Sequence, residues 1–226
     1  IGADLESGEI LWRVRRSVPA LTVRGLSAPL VIDNVALIGF ASGRLSGIDV
    51  ASGAELWSAR IFRARGSNEV NRLVDIDSDP YQMGDRLIIA GFQAQISAVS
   101  LKTRRIEWDA EHSTLRPLSS VGNVLLVTKD DGSVSGLDIQ SGAQNWEVDA
   151  LQGRGVSGPF GLESRGLAVV GDYKGLLYLL DSASGELVGR KKGGGGAVLG
   201  IYDSGDQDRF VTLSENGSLT AWAVGE

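Results

Sequence analysis

The chain has 226 residues, 42% of them hydrophobic and 22% charged, so it can bury a substantial core. Its net charge of −6 argues against a nucleic-acid surface, which needs clustered Lys and Arg, and no run of apolar residues is long enough to span a bilayer as a helix. Cysteine is absent and His112 is the single histidine, which excludes disulfides, thiol catalysis, cysteine-ligated metals and a histidine-based zinc site within one chain.

One segment recurs along the chain. Gly2–Trp12, Gly47–Trp57, Ala98–Trp108 and Gly136–Trp146 are near-copies, and Leu180–Gly189 is a fifth that puts Gly where Trp is expected. A period of this size signals a repeat architecture. Each later copy has the same preamble. A proline opens it (Pro29, Pro80, Pro117 or Pro159), then come two short apolar runs such as Val35–Phe40 or Val124–Thr128. A tight turn follows at Ser42-Gly43, Asp131-Gly132, Lys174-Gly175 or Asn216-Gly217, and Asp-Gly and Asn-Gly between alternating runs signal hairpins. A third run alternates, as in Val134–Asp138, and an Asp-x-x-Ser-Gly turn leads to a fourth run ending in Trp. In that turn the Asp is expected to cap backbone N–H groups two residues on, and the Trp to pack between neighbouring units.

Four short antiparallel strands per unit, without helical periodicity, predict an all-β chain of propeller blades. The expected layout is a partial blade over 1–16, full blades over 27–62, 78–112, 116–150 and 157–190, and an incomplete last blade over 198–226. Because the chain opens inside a repeat, it is expected to be the C-terminal part of a larger ring.

The Asp-x-x-Ser-Gly-x-x-x-Trp unit resembles the PQQ-type repeat of quinoprotein dehydrogenase blades. Three segments carry a closer likeness: Leu21–Pro29, Gly66–Pro80 and Val169–Tyr178. On these the chain resembles the BamB family, propeller lipoproteins of the bacterial outer-membrane β-barrel assembly machinery. The resemblance implies an eight-bladed β-propeller with PQQ-like repeats and a non-catalytic scaffold without cofactor. It places that scaffold at the periplasmic face of the outer membrane, with the membrane touched only through a lipid anchor absent from these residues. It implies binding to the POTRA domains of the barrel-assembly protein and admits nascent outer-membrane proteins as a second class of ligand.

Arg24 lies five residues before Pro29, and Asp75 five before Pro80, so both fall in connections from the outer strand of one blade to the inner strand of the next. Such connections emerge on one face of a propeller. One loop offers two apolar groups and a guanidinium, the other two carboxylates, which together make a small protein-binding patch. The resemblance assigns partner binding to Leu21, Val23, Arg24, Asp75 and Asp77, with Val23 in place of the commoner Leu. Two structural readings stand beside it: Arg24 pairing with Asp75 or Asp77 to brace adjacent blades, and Leu21 and Val23 lying buried under the insertion 58–79.

Other candidates are weaker. Glu69 and Arg72 suit a local solvated pair, and Lys191-Lys192 before Gly193–Gly196 lacks the strand–helix context of a phosphate cradle and reads as a mobile connection. The acids at Asp130-Asp131 and Asp203–Asp208 lack calcium-loop spacing and suit hairpin turns. His112 is expected at a surface rim. Two alternatives to the scaffold reading are another repeat-propeller module binding envelope proteins, and a PQQ-dependent dehydrogenase. The dehydrogenase would need a cofactor stack, a calcium site and a catalytic Asp.

Overall fold

The computed structural model describes residues 1–15, 27–40, 43–62, 76, 78–91 and 94–225. They fall into two compact units, Ile1–Leu115 and Arg116–Glu226. The first contains the hairpin β1 (Gly2–Ala3) and β2 (Ile10–Trp12), then two four-stranded sheets. One is β3 (Leu30–Ile32), β4 (Val35–Phe40), β5 (Arg44–Asp49) and β6 (Glu55–Arg60); the other is β7 (Tyr81–Met83), β8 (Arg86–Ile89), β9 (Ile96–Ser100) and β10 (Ile106–Ala110).

The second unit has two more four-stranded sheets, β11 (Ser119–Val121), β12 (Val124–Thr128), β13 (Val134–Asp138), β14 (Gln144–Val148) and β15 (Phe160–Leu162), β16 (Leu167–Gly171), β17 (Leu176–Asp181), β18 (Leu187–Lys192). A three-stranded sheet follows: β19 (Val198–Asp203), β20 (Arg209–Ser214) and β21 (Leu219–Ala223). Every pairing is antiparallel between consecutive strands. Helical structure among the described residues is confined to 3-10 turns such as Asp149–Leu151 and Glu163–Arg165.

Sheet packs on sheet within each unit, so middle strands are covered on both faces. Leu87, Ile88 and Ile89 of β8 are all fully buried. The period of two sorts the side chains. Ala168, Val170, Tyr178 and Leu180 pack towards the β11–β14 sheet with Leu126, Val134 and Trp146, whereas Val169 and Leu177 pack towards the last sheet with Val198 and Phe210.

The recurrent turn has one geometry. The carboxylates of Asp4, Asp49, Asp138 and Asp181 each accept the N–H and the hydroxyl of the Ser three residues on, at 2.6–2.9 Å. The main contact is thus one residue further along than expected, and the N–H two residues on contributes beside it, as at Asp4 (3.1 Å) and Asp181 (3.1 Å). The following Gly returns its N–H to the Asp carbonyl and takes a positive φ of 72–75°, which explains why Gly recurs there. The third copy puts Arg104 at that position with φ 59°, and its guanidinium lies 5.3 Å from the Trp57 ring centroid.

Each Trp of the repeat reaches the next sheet of its unit where that turn is present. The Trp12 indole donates to the Val50 carbonyl (2.8 Å) over Gly53, and Trp146 donates to the Ser182 carbonyl (2.9 Å) over Gly185. On their own sheets the rings of Trp12, Trp57 and Trp146 each cover a cross-strand Gly (Gly2, Gly47 or Gly136), where a Cβ would overlap the indole, whereas Trp108 faces Ala98. The β15–β18 sheet exchanges the sizes: Leu179 occupies the Gly position and Gly189 the Trp position. The next sheet, among the described residues, carries no Asp-x-x-Ser-Gly turn to receive an indole.

Two expectations are corrected. His112 is buried, at 9% exposure, rather than on a rim, with its N–H bonded to the Ala110 carbonyl. Lys191 and Lys192 belong to β18, and the glycine run after them is tied down. The Gly193 N–H bonds to Gly175, and the carbonyls of Gly194 and Gly195 accept the Ser214 hydroxyl and the Asn216 N–H.

Candidate functional site

Leu21, Val23, Arg24, Asp75 and Asp77 lie outside the described residues, as do Glu69 and Arg72. Their flanks are described, and those flanks meet. The loop that carries Leu21, Val23 and Arg24 ends at Ser27-Ala28-Pro29; the loop that carries Asp75 and Asp77 ends at Ser78-Asp79-Pro80. The Ala28 N–H donates to the Asp79 carboxylate at 2.5 Å, so one root is bonded directly to the other.

Beneath this bond the second loop is pinned at both ends in one core. Phe62 and Ile76 are each 2% exposed and share a cluster with Leu37, Leu45, Leu87 and Val99. Phe62 is further held by its N–H on the Gly43 carbonyl. Ile76 lies against Gly39 of β4, where any Cβ would overlap its side chain. A Gly inside the apolar run Val35–Phe40 is thus explained by close approach. Asp75 and Asp77 flank this buried Ile76 in sequence.

The second unit roots its connection differently. Arg154, between β14 and β15, donates through Nε (3.0 Å) and Nη2 (2.8 Å) to Asp172, whose side chain is fully buried. The same carboxylate accepts the Tyr178 hydroxyl and the N–H groups of Lys174 and Leu176, each at 2.9 Å. Burial would raise the Asp172 pKa, but the Leu176 N–H, Arg154, Tyr178 and the Lys174 N–H outweigh it and hold it below the usual carboxylate value. With five donors its lone pairs are occupied, so the group suits bracing rather than proton transfer. Among the described residues, no group of three or more His, Asp or Glu is placed to hold a metal ion.

Comparisons with known proteins agree in direction. The family model described as outer membrane protein assembly factor BamB matches residues 1–148 and 130–224. The chain belongs to the BamB family. Among its relatives, outer membrane protein assembly factor BamB of Pseudomonas aeruginosa is 36% identical over 176 residues, covering 78% of this chain and 46% of that protein. BamB of Legionella pneumophila is 32% identical over 206 residues, covering 91% and 53%. The chain therefore spans about half the length of the curated relatives it matches. The crystal structure of BamB from Moraxella catarrhalis aligns with a TM-score of 0.89 at 29% identity, covering 98% of this chain and 66% of that one. The fold class is accordingly the all-β propeller type of four-stranded antiparallel blades expected from the repeat.

Among the three segments that carried the BamB resemblance, Val169–Tyr178 contains Asp172 and Tyr178 of the buried network, and Gly66–Pro80 contains Ile76 and Asp79. Sequence reading missed these anchors. One signal was available: Ser27, Ser78 and Ser157 each stand two residues before a Pro, and all three are buried. The Ser78 and Ser157 N–H groups bond the carbonyls of Ala90 and Gly171, and the Ser157 hydroxyl also accepts the Gly171 N–H. A Ser-x-Pro root thus marks the entry to three of the sheets, those beginning at β3, β7 and β15.

Proposed function

We propose that this chain is part of a non-catalytic scaffold of the outer-membrane β-barrel assembly machinery, gripping the POTRA region of the barrel-assembly protein. Leu21 and Val23 supply the apolar anchor, Arg24 a guanidinium, and Asp75 and Asp77 the acidic fringe. The protein works at the periplasmic face of the outer membrane, held in its full-length form by a lipid anchor. What supports the reading, beyond family membership, is the Ala28–Asp79 hydrogen bond. It ties together Ala28 and Asp79, the described ends of the two loops in which these five residues lie in sequence.

The test is binding of the POTRA fragment to Arg24→Ala and Asp75→Ala, with folding checked by circular dichroism. Each is expected to weaken binding by about tenfold or more, the scale of a charged hot spot. Undiminished affinity in a folded variant would remove that residue from the interface.

A further inference from the structure

A cationic ridge stands at one end of the β15–β18 sheet in this otherwise acidic chain. Of the lysines Lys102, Lys129, Lys174, Lys191 and Lys192, three gather here, joined by Arg190. Strand pairing fixes their arrangement: Arg190 lies opposite Tyr178, Lys191 opposite Leu177 and Lys192 opposite Leu176. Lys174 sits in the adjoining β16–β17 turn, which the Gly193 N–H closes onto Gly175 at 2.8 Å. All four are exposed, and none makes an ion pair with another described residue. Tyr173, 50% exposed, lies with them, the Lys174 ammonium 5.5 Å from its ring centroid.

None of the four cations is ion-paired with a described acid, and the nearest acid in sequence is committed elsewhere. Asp172 is buried and spent on Arg154 and Tyr178. Asp131 and Asp149 keep their charge and accept the Gln152 amide in the preceding connection, and Glu215, beside Gly196, is a rim carboxylate on the following sheet. β18 is also the outer strand of its sheet, hydrogen-bonded only to β17. It lacks the Trp that covers this position in the earlier repeats and has Gly189 there, with Leu187 and Val188 half exposed before it.

We propose that the β18 edge and this ridge form a docking surface for an extended acidic polypeptide segment. Main-chain pairing along the strand would hold it, and Arg190, Lys191, Lys192 and Lys174 would select its carboxylates. A second copy of the chain is disfavoured as occupant, because like strands would set these cations against one another. A membrane fits less well. Successive cations point to opposite sides of β18, straddling a strand rather than lying in a plane, and Lys174 already covers the Tyr173 ring. The surface is built from residues other than those of the proposed POTRA site, and the inference does not rest on that reading.

The test is fluorescence anisotropy of the full chain with a labelled peptide of alternating Glu and Thr, its Gln-for-Glu counterpart, and phosphatidylglycerol vesicles. The acidic peptide is expected to bind and the Gln peptide not. Affinity should fall at least tenfold in Arg190→Glu/Lys191→Glu/Lys192→Glu, and should weaken as salt rises past about 0.1 M, where the screening length is about 10 Å. The neutral Lys191→Gln/Lys192→Gln variant, less demanding on folding, should lie between. Arg24→Ala should leave the binding unchanged. Absence of peptide binding, equal binding by the charge-reversed variant in folded form, or preference for vesicles over peptide would overturn the proposal.

Discussion

The indole of Trp146 and the main chain of Ser182 form a joint between successive sheets: N–H to carbonyl at 2.9 Å, with the ring lying over Gly185 of the same turn. Trp12 makes the same joint with Val50 and Gly53. The repeat is therefore a pair of half-joints, an indole on one sheet and a turn on the next, each shaped by a glycine.

Trp146→Ala should destabilise the protein by about 3–5 kcal/mol, as large-to-small core changes do. Trp146→Phe should cost less, since it keeps much of the packing while losing the hydrogen bond, worth about 1 kcal/mol. Gly185→Ala combines a φ of 75° with a Cβ 2.6 Å from the indole, and should destabilise as well. Urea unfolding midpoints would rank the three.

Asp172→Asn should cost about 3 kcal/mol, because it strips a buried carboxylate from Arg154 and sets an amide among five donors. Tyr178→Phe removes one of those bonds and should cost about 1 kcal/mol. A double-mutant cycle between them should show coupling, since both act on one carboxylate. Additive losses would contradict a shared network.

Acid should unfold the chain through these same groups. Asp172, Asp131 and the turn residues Asp49, Asp138 and Asp181 all have pKa values lowered from the ordinary 3.8. Burial opposes the shift at Asp131, where the Ser133 N–H and hydroxyl prevail; at the turn residues the Ser hydroxyl leads. A carboxylate with a depressed native pKa stabilises the fold above its unfolded value, and that stability disappears as pH falls through the native value. Melting temperature should thus be level above about pH 5 and fall below about pH 4, with a shallower fall in Asp172→Asn.

The loop roots offer a test of positioning. Gly39→Ala places a methyl against Ile76 and should cost about 1–3 kcal/mol by overpacking. Ile76→Ala should cost about 2–4 kcal/mol by leaving a cavity. Both should weaken POTRA binding without altering any proposed contact residue, whereas Leu151→Ala, in the core of the other unit, should destabilise and leave affinity intact. Calorimetric titration beside thermal melts separates the outcomes.

Arg104 carries two opposed contributions. Its positive φ costs a non-Gly residue about 1 kcal/mol, and its place over Trp57 returns about 0.5–1 kcal/mol. Arg104→Gly should therefore leave stability nearly unchanged. Arg104→Ala, which keeps the strain and loses the ring contact, should be the less stable of the two by thermal melting.

The strands and turns were legible because their causes are local. Asp, Ser and Gly at fixed spacing make their own hydrogen bonds, and alternating runs sort themselves onto two faces. The joints were half legible: the indole was expected between sheets, but its acceptor lies 36 residues away at Ser182 and nothing in the chain nearby announces it. The roots of the candidate site were less legible still. Asp79 meets Ala28 across 51 residues, and Gly39 is explained only by Ile76. Asp172 reads as one more turn acid until Arg154, 18 residues earlier, is seen to enter its pocket.

The paired half-joints bear on how such an array can grow. Each repeat that carries both an indole and a receiving turn is compatible head-to-tail with any other, so tandem duplication yields a working junction at once. A repeat that loses one half constrains its neighbour. Gly189 stands where the other repeats carry an indole, with Leu179 opposite it, and the sheet beyond shows no receiving turn among the described residues. A change to one half of such a junction calls for a matching change across it rather than within the same repeat, so the modules there are not interchangeable.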